Sequence, residues 1–350
     1  MFTFPYIYKK YDTNQIMIYV IIAMFPGILV KSYYDHFSTL IQLTISLVSV
    51  SILEILILKL KKKKIKNILQ DFSFIITGIL IGISIPSFSS WWINVLGIFF
   101  SIVFAKEIYG GLGKNIFNPA MVGYAMLLIS FPDFMSYSII PYKYISEDIH
   151  FSNIISSIFS NDSIDFWKRF EQSIGKIDFV TQPTPLNYLK TYGNQDQSFF
   201  LDYLIKKNKY CFLNFLISKK INIAFFLGGL FLIYKKIINW RIPFSFLITI
   251  TMISGINWFF FQEKLISPYV HLFSGSTMLG AFFVATDPVT TCCTNFGKIV
   301  FGVIIGLLEW MIRTFGGYSD AIAFSVLIAN MLVPLLEHYV RCNVYGVKND

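Results

Sequence analysis

Long apolar runs decide what this chain can become. A bilayer core takes about 20 apolar residues as helix. Ten candidate spans can be read: Ile16–Tyr34, Ser38–Leu60, Phe72–Pro86, Trp91–Ala105, Phe117–Phe131, Ile221–Tyr234, Ile242–Phe261, Ser274–Ala285, Ile299–Ile312 and Ala321–His338. Several are short, which predicts tilted or broken helices. Pro86, Pro119 and Pro288 fall at ends or breaks, where a missing N–H is tolerated. Composition closes the alternatives. Hydrophobic residues make up 55 %, charged residues 14 %, and mean hydropathy is +0.60. A soluble domain carries about 25 % charged residues to wet its surface. The net charge of +9 is not laid out as a basic stripe, so the expectation is no nucleic-acid partner. The fold class predicted is an all-α polytopic membrane protein.

The placement of Lys and Arg orients the spans, because basic residues collect in short cytoplasmic loops. With ten spans starting inside, 16 basic residues fall inside and three, Lys31, Lys264 and Arg313, fall in short outside loops. Both termini are then cytoplasmic. The segment 132–220 holds 19 charged residues and is too long for the charge rule, so it is read as an extracytoplasmic loop. Its aromatic residues, among them Phe166, Trp167 and Tyr188, predict a small packed subdomain. The first membrane half is 1–131 and the second 221–350.

Read against each other, the halves repeat. Phe72–Pro86 runs apolar to a Pro, and Ile98–Asn115 runs apolar to Gly-Gly; Phe273–Pro288 and Ile299–Asp320 do the same. The third span crosses outward and the eighth inward, so the halves are expected to be inverted, five spans each. Such interrupted, inverted halves point to a site at the bilayer midplane. Gly110, Gly111, Asn115 and Asn118 lie in YGGLGKNIFNPAM and read equally as a tight connection or as the lining of an ion or cofactor path. Asp287, in TDPVTTCCTN, reads as the cap of a helix starting at Pro288, and also as a path residue at membrane depth. Glu54, Glu107 and Glu309 stand in or beside spans. Glu309, between Leu308 and Trp310, must pair or protonate. Cys211, Cys292, Cys293 and Cys342 form no C-x-x-C and the four His are scattered, so no metal site is expected. On residues alone, TQPTPLNYLKT (Thr181–Thr191) is a Pro-bracketed polar loop.

Taken together these stretches resemble a known family. SIPSFSSWW at Ser84–Trp92, AKEIYGGLGKNIFNPAMVGY at Ala105–Tyr124, LLISFP at Leu127–Pro132, TPL at Thr184–Leu186, FSGSTMLGAFFVATDPVT at Phe273–Thr290 and RTFGGYSDAIAFSVLIAN at Arg313–Asn330 carry the likeness. The chain is similar, essentially end to end, to the D subunits of Rnf-type ion-translocating electron transport complexes, which are related to the B subunits of Na⁺-translocating NADH:quinone reductases. The resemblance implies FMN held on a Thr through a phosphoester, in a motif close to Ser/Thr-Gly-Ala-Thr. Here the matching run is Thr181-Gln182-Pro183-Thr184, followed by Pro185: the terminal Thr is kept, and Gln and Pro replace Gly and Ala. Thr184 is thus the implied attachment residue. The resemblance further implies a flavin transferase, partner subunits bearing flavin or iron–sulfur groups, coupling of electron flow to Na⁺ or H⁺ movement, and a bacterial inner-membrane location. It also allows a second, non-covalent flavin such as riboflavin, with no residue assigned. The alternatives are a secondary transporter of a small solute and a membrane scaffold that has lost its flavin. Covalent flavin on the denatured polypeptide separates the first reading from both.

Overall fold

A computed structural model describes residues 11–62, 72–136, 151–160, 163, 186, 209–260, 267–318 and 320–340. These form helices and no strand among the described residues. In chain order they are α1 Thr13–Tyr34, α2 Ser38–Leu60, α3 Ser73–Ser84, α4 Trp91–Phe99, α5 Pro119–Ser130, α6 Pro132–Ser136, α7 Phe151–Phe159, α8 Lys209–Tyr234, α9 Arg241–Phe260, α10 Pro268–Phe273, α11 Thr277–Leu279, α12 Asn295–Phe315 and α13 Ile322–Tyr339. Two wider π segments continue α4 and α11, at Phe100–Glu107 and Gly280–Val284. Their signature is the bond from Ile108 N–H to the Val103 carbonyl and from Ala285 N–H to the Gly280 carbonyl, each spanning five residues. Such bulges concentrate at functional sites.

Among the described residues six helices are long and apolar enough to cross a membrane: α1, α2, Phe212–Tyr234 of α8, α9, α12 and α13. The helices α3 and α5 are apolar but have 12 residues each. The eighth expected span, Ser274–Ala285, is shorter than expected: Ser274–Ser276 is irregular, separating it from α10, and helix starts only at Thr277. Short and broken helices were expected from the run lengths, and these are the places where they occur.

The chemistry of α2 is reversed from that of a soluble helix. Along α2 the buried positions include Thr39, Gln42, Ser46, Ser49 and Glu54, while Val48, Ile52 and Leu56 are exposed. Those spacings put the polar residues on one face and the aliphatic ones on another. A helix that buries polarity and exposes hydrocarbon suits lipid, where internal polar groups must find partners inside the protein. Gln42 does so. Its amide donates to the Ser89 carbonyl at 2.6 Å, and Asn94 donates back to both Gln42 oxygens at 2.9 Å.

Packing pairs α1 with α8, α2 with α3 and α4, α9 with α12, α12 with α13, and α5 with α13. Contacts sort the helix ends into two groups. Lys61, Ser73, Glu107, Asn118, Val284 and Glu337 belong to one end. Asp35, Ser87, Leu186, Lys220, Ser276 and Asp320 belong to the other.

Three sequence expectations change. Lys31 and Arg313 are not loop residues; they lie in the last turns of α1 and α12. Counting charge by loop misplaced them because each finds a partner within the protein, Lys31 at the Ile83 carbonyl and Arg313 at a buried acid. The helix expected to begin at Ile221 begins at Lys209, so helix enters the segment 132–220. Lys219 and Lys220 break the apolar run but not the helix, because each ammonium turns aside onto an aromatic ring, 5.2 Å from the Tyr269 and Tyr34 centroids. Finally, Asp287 caps no helix at Pro288; residues 288–290 form a turn, and α12 starts at Asn295 with Thr294 as its cap.

Candidate functional site

The break after π segment Gly280–Val284 meets the start of α5. Asn118 caps α5: its side-chain oxygen accepts from Ala120 N–H at 3.1 Å and Met121 N–H at 3.4 Å, with Pro119 at the first helical position. The same side chain donates to the Val284 carbonyl at 3.3 Å. One residue therefore satisfies backbone groups freed at two breaks, 166 residues apart in sequence. Asn330 of α13 completes the joint. In the orientation that satisfies its amide, it donates to the Thr290 carbonyl and accepts from Asn118 N–H, each at 3.2 Å.

A cavity of about 140 Å³ opens at this joint. Its polar lining includes Lys106, Asn115, Asn118, Thr286 and Asp287, and its walls include Leu232, Ile238, Phe282 and Phe283. That volume is close to the roughly 150 Å³ that takes one aromatic ring. It therefore fits a hydrated cation or one ring of a larger flat molecule whose remainder lies in the mouth. Asn115 donates to the Phe117 carbonyl at 3.1 Å, and its buried side-chain oxygen has no hydrogen-bond partner. Asp287 accepts from the Thr290 hydroxyl at 3.2 Å and from Val289 N–H at 3.4 Å. Burial pushes its carboxyl above the usual carboxylate range, against the pull of those two donors. Gly110 and Gly111 sit beside the cavity's Lys106 wall with φ of 113° and 102°, a turn that side-chain-bearing residues rarely adopt.

The structure thus brings Asn115, Asn118 and Asp287 to one cavity. It does not bring Glu309 there. Glu309 belongs to a charge node at the opposite end, centred on Arg313, both fully buried. Arg313 Nε lies 2.7 Å from Glu309 Oε1, one helical turn back, an ion pair whose N–H direction misses hydrogen-bond alignment. Its Nη1 donates to the His271 carbonyl at 2.8 Å, and its Nη2 to the Thr277 hydroxyl at 3.0 Å and to Asp320 at 3.4 Å. Asp320 also accepts from Ser276 N–H at 3.0 Å and from the Ser276 hydroxyl. Asn222 of α8 donates to the Phe273 and Gly275 carbonyls at 3.2 and 2.9 Å and accepts from Met278 N–H at 3.1 Å. The irregular Ser274–Ser276 backbone is therefore satisfied by side chains from two other segments, Asn222 on the Gly275 carbonyl and Asp320 on Ser276 N–H, while Arg313 serves the His271 carbonyl just before it.

A second node sits at the cavity end. Lys106 Nζ is 2.7 Å from Glu54 and 3.4 Å from the Ser73 hydroxyl, and Lys61 pairs with Glu107 at 2.7 Å. The acids Glu54, Glu107 and Glu309 were visible as sequence oddities. Their basic partners Lys106 and Arg313, and the organisers Asn222 and Asn330, were missed. The available signal was a lone charge or amide inside an apolar run. Thr181, Gln182, Pro183, Thr184 and Pro185 lie outside the described residues. Leu186 is described, and is buried against Phe215, Val270 and Phe273. Among the described residues no three His, Cys, Asp or Glu side chains cluster as metal ligands.

Comparison with known proteins places this arrangement. The model of the NQR2, RnfD, RnfE family matches residues 1–346. The chain belongs to that family. Among curated members, the D subunit of an ion-translocating oxidoreductase complex from Buchnera aphidicola subsp. Acyrthosiphon pisum (strain 5A) is 48 % identical over 352 residues, covering 99 % of both chains. The D subunit of the complex of the same name from Salmonella enteritidis PT4 (strain P125109) is 41 % identical over 344 residues, covering 98 % of this chain and 97 % of its own. Both nodes and the cavity therefore lie within the stretch that defines the NQR2, RnfD, RnfE family.

Proposed function

We propose that this chain is the membrane subunit of an ion-translocating oxidoreductase complex, carrying electrons through FMN on Thr184 and coupling that flow to Na⁺ or H⁺ movement. The observation that carries the coupling half is the joint at Asn118 and Val284. There two helix breaks share a polar-lined cavity holding Asp287 and an unpartnered Asn115 oxygen. A path for a cation, or a seat for a second flavin such as riboflavin, needs this mixture of flat apolar wall and few polar groups. Asn115 would accept from a ring N–H and Phe282 and Phe283 would face the ring.

The ten-crossing, inverted-halves reading is supported by correspondence between the halves. Each half buries a base shortly before its Gly-Gly, Lys106 before Gly110 and Arg313 before Gly316; the π segments fall in spans that do not correspond. Lys106 keeps company with the Lys61 end and Arg313 with the Leu186 end. With the basic loops inside a bacterial inner membrane, the Lys61 end is cytoplasmic and Thr184 is outside. FMN supplies one- and two-electron chemistry when bound. In its attachment the Thr184 hydroxyl would displace AMP from FAD on a flavin transferase, forming the phosphoester and releasing the hydroxyl proton. Electrons reach the chain from partner subunits, since it has no nicotinamide-binding motif of its own.

The test is mass spectrometry of the peptide bearing Thr184 from the intact complex. An FMN adduct on Thr184, lost in Thr184→Val together with electron transfer, is expected. An adduct on Thr181, or none in a flavin-replete active complex, overturns the assignment.

A further inference from the structure

Among the described residues between 161 and 208, Leu186 is buried at the Leu186 end with only 4 % of its surface exposed. It packs against Phe215 of α8 and Val270 and Phe273 of α10. The other wall of this seat is a glycine. Gly275 has φ of 63°, and a Cβ added there would lie 3.3 Å from Leu186 Cδ1, 3.0 Å from Arg313 Nη2 and 3.4 Å from Asp320 Cγ. The missing side chain is what lets the leucine and the guanidinium approach the same backbone. The loop presenting Gly275 is held from both sides, by Asn222 on its carbonyl and by Asp320 on the following Ser276.

We infer that this seat is a docking point for the flavin-bearing segment, with Leu186 as its anchor and the Gly275 loop, braced by Arg313, as its floor. The inference rests on the attachment of FMN to Thr184. Thr184 and Leu186 are two residues apart, so their Cα atoms lie within about 7 Å of each other. Fixing Leu186 fixes the reach of anything tethered at Thr184. A phosphoester by itself prevents loss of the flavin but sets no position; electron transfer to a neighbour needs both. Leu186 is thus a positioning residue, acting through the tether.

Two measurements on the purified complex test it. First, Leu186→Cys is treated with a maleimide and the label located by mass spectrometry. The seat predicts labelling at least tenfold slower than for a cysteine placed at exposed Ser156, and fast labelling once Phe215→Ala is added. Second, Leu186→Ser is compared with Leu186→Met, which keeps the volume. The Ser variant should retain FMN on Thr184, lose fluorescence anisotropy of that flavin and transfer electrons at least tenfold more slowly; the Met variant should restore both. Fast labelling of Leu186→Cys, or a Ser variant with full anisotropy and electron transfer within twofold of the parent, overturns the seat while leaving the attachment intact. FMN absent from Thr184 in the parent complex overturns the attachment, and the positioning role with it.

Discussion

The two charge nodes use the same chemistry for different jobs. At the cavity end, Lys106 reaches Glu54 and Ser73, which stand on two regular helices. At the other end, Arg313 takes one partner from its own helix and then spans the break, touching His271, Thr277 and Asp320. An ammonium is a compact point charge; a guanidinium is a planar fork with five donors. The first staples helices together. The second satisfies backbone and side-chain oxygens that a broken helix leaves behind. The difference teaches where irregular backbone is tolerated at membrane depth: where a multidentate donor is fully buried beside it.

Arg313→Ala should have the largest effect. It strands Glu309, which would keep the neutral donors Ser325 hydroxyl, at 3.2 Å, and Ala321 N–H, and strips donors from the break. Breaking a buried pair from one side costs about 3–5 kcal/mol. The expected outcome is a chain that fails to accumulate in membranes, or a correspondingly lower unfolding midpoint in mild detergent. Arg313→Lys should recover part of this, since an ammonium cannot serve all four partners.

Lys106→Met should cost somewhat less, about 3 kcal/mol, by leaving Glu54 fully buried and unpaired. Double variants then break or sharpen the contrast. Glu54→Leu added to Lys106→Met replaces a pair by hydrocarbon and should restore stability to within about 1 kcal/mol. Glu309→Leu added to Arg313→Met should not, because the His271 carbonyl and Asp320 lose the guanidinium and keep the neutral donors Thr277 and Ser276, which leaves the Asp320 charge without its cation. Equal recovery in the two pairs, read by the same denaturation midpoints, would show that Arg313 is only another staple.

How much of this could be read beforehand differs between the nodes for a physical reason. Glu309 and Arg313 are four apart on one helix, so the neighbour demanded by a buried acid stood one turn away, and counting Arg313 with the loops concealed it. The breaks at Pro86, Pro119 and Pro288 were legible, because each is a local backbone property; the cap that Asn118 makes beside one of them was not read as a cap. Glu54 and Lys106 lie 52 residues apart, and Asn222 lies 53 from Gly275. Such pairs depend on the register of one helix against another, which a single sequence does not encode locally. The same limit hid the separation of Glu309 from Asp287. Both are acids in or beside apolar runs and look alike in sequence, yet packing sends them to opposite ends.

The smallest effect concerns the joint between the breaks. Asn118→Ala removes the cap of α5 and the bond to the Val284 carbonyl, and should cost about 1 kcal/mol, with about 2 as the upper end for a lost cap. Asn118→Ser separates the two roles. Serine caps as well as asparagine does, but it is too short to donate across to Val284. Its cost should therefore be smaller, a few tenths to about 1 kcal/mol for one lost hydrogen bond. Hydrogen exchange at Ala285, whose N–H closes the π segment onto Gly280, should quicken in both variants, because the carbonyl next to it has lost its external donor. An Asn118→Ser chain that matches the parent in stability and in exchange at Ala285 would mean that the two breaks are joined by packing and by Asn330 alone. The cavity would then owe its shape to the helices that wall it, and the contrast with the donor-held break at Arg313 would be sharper still.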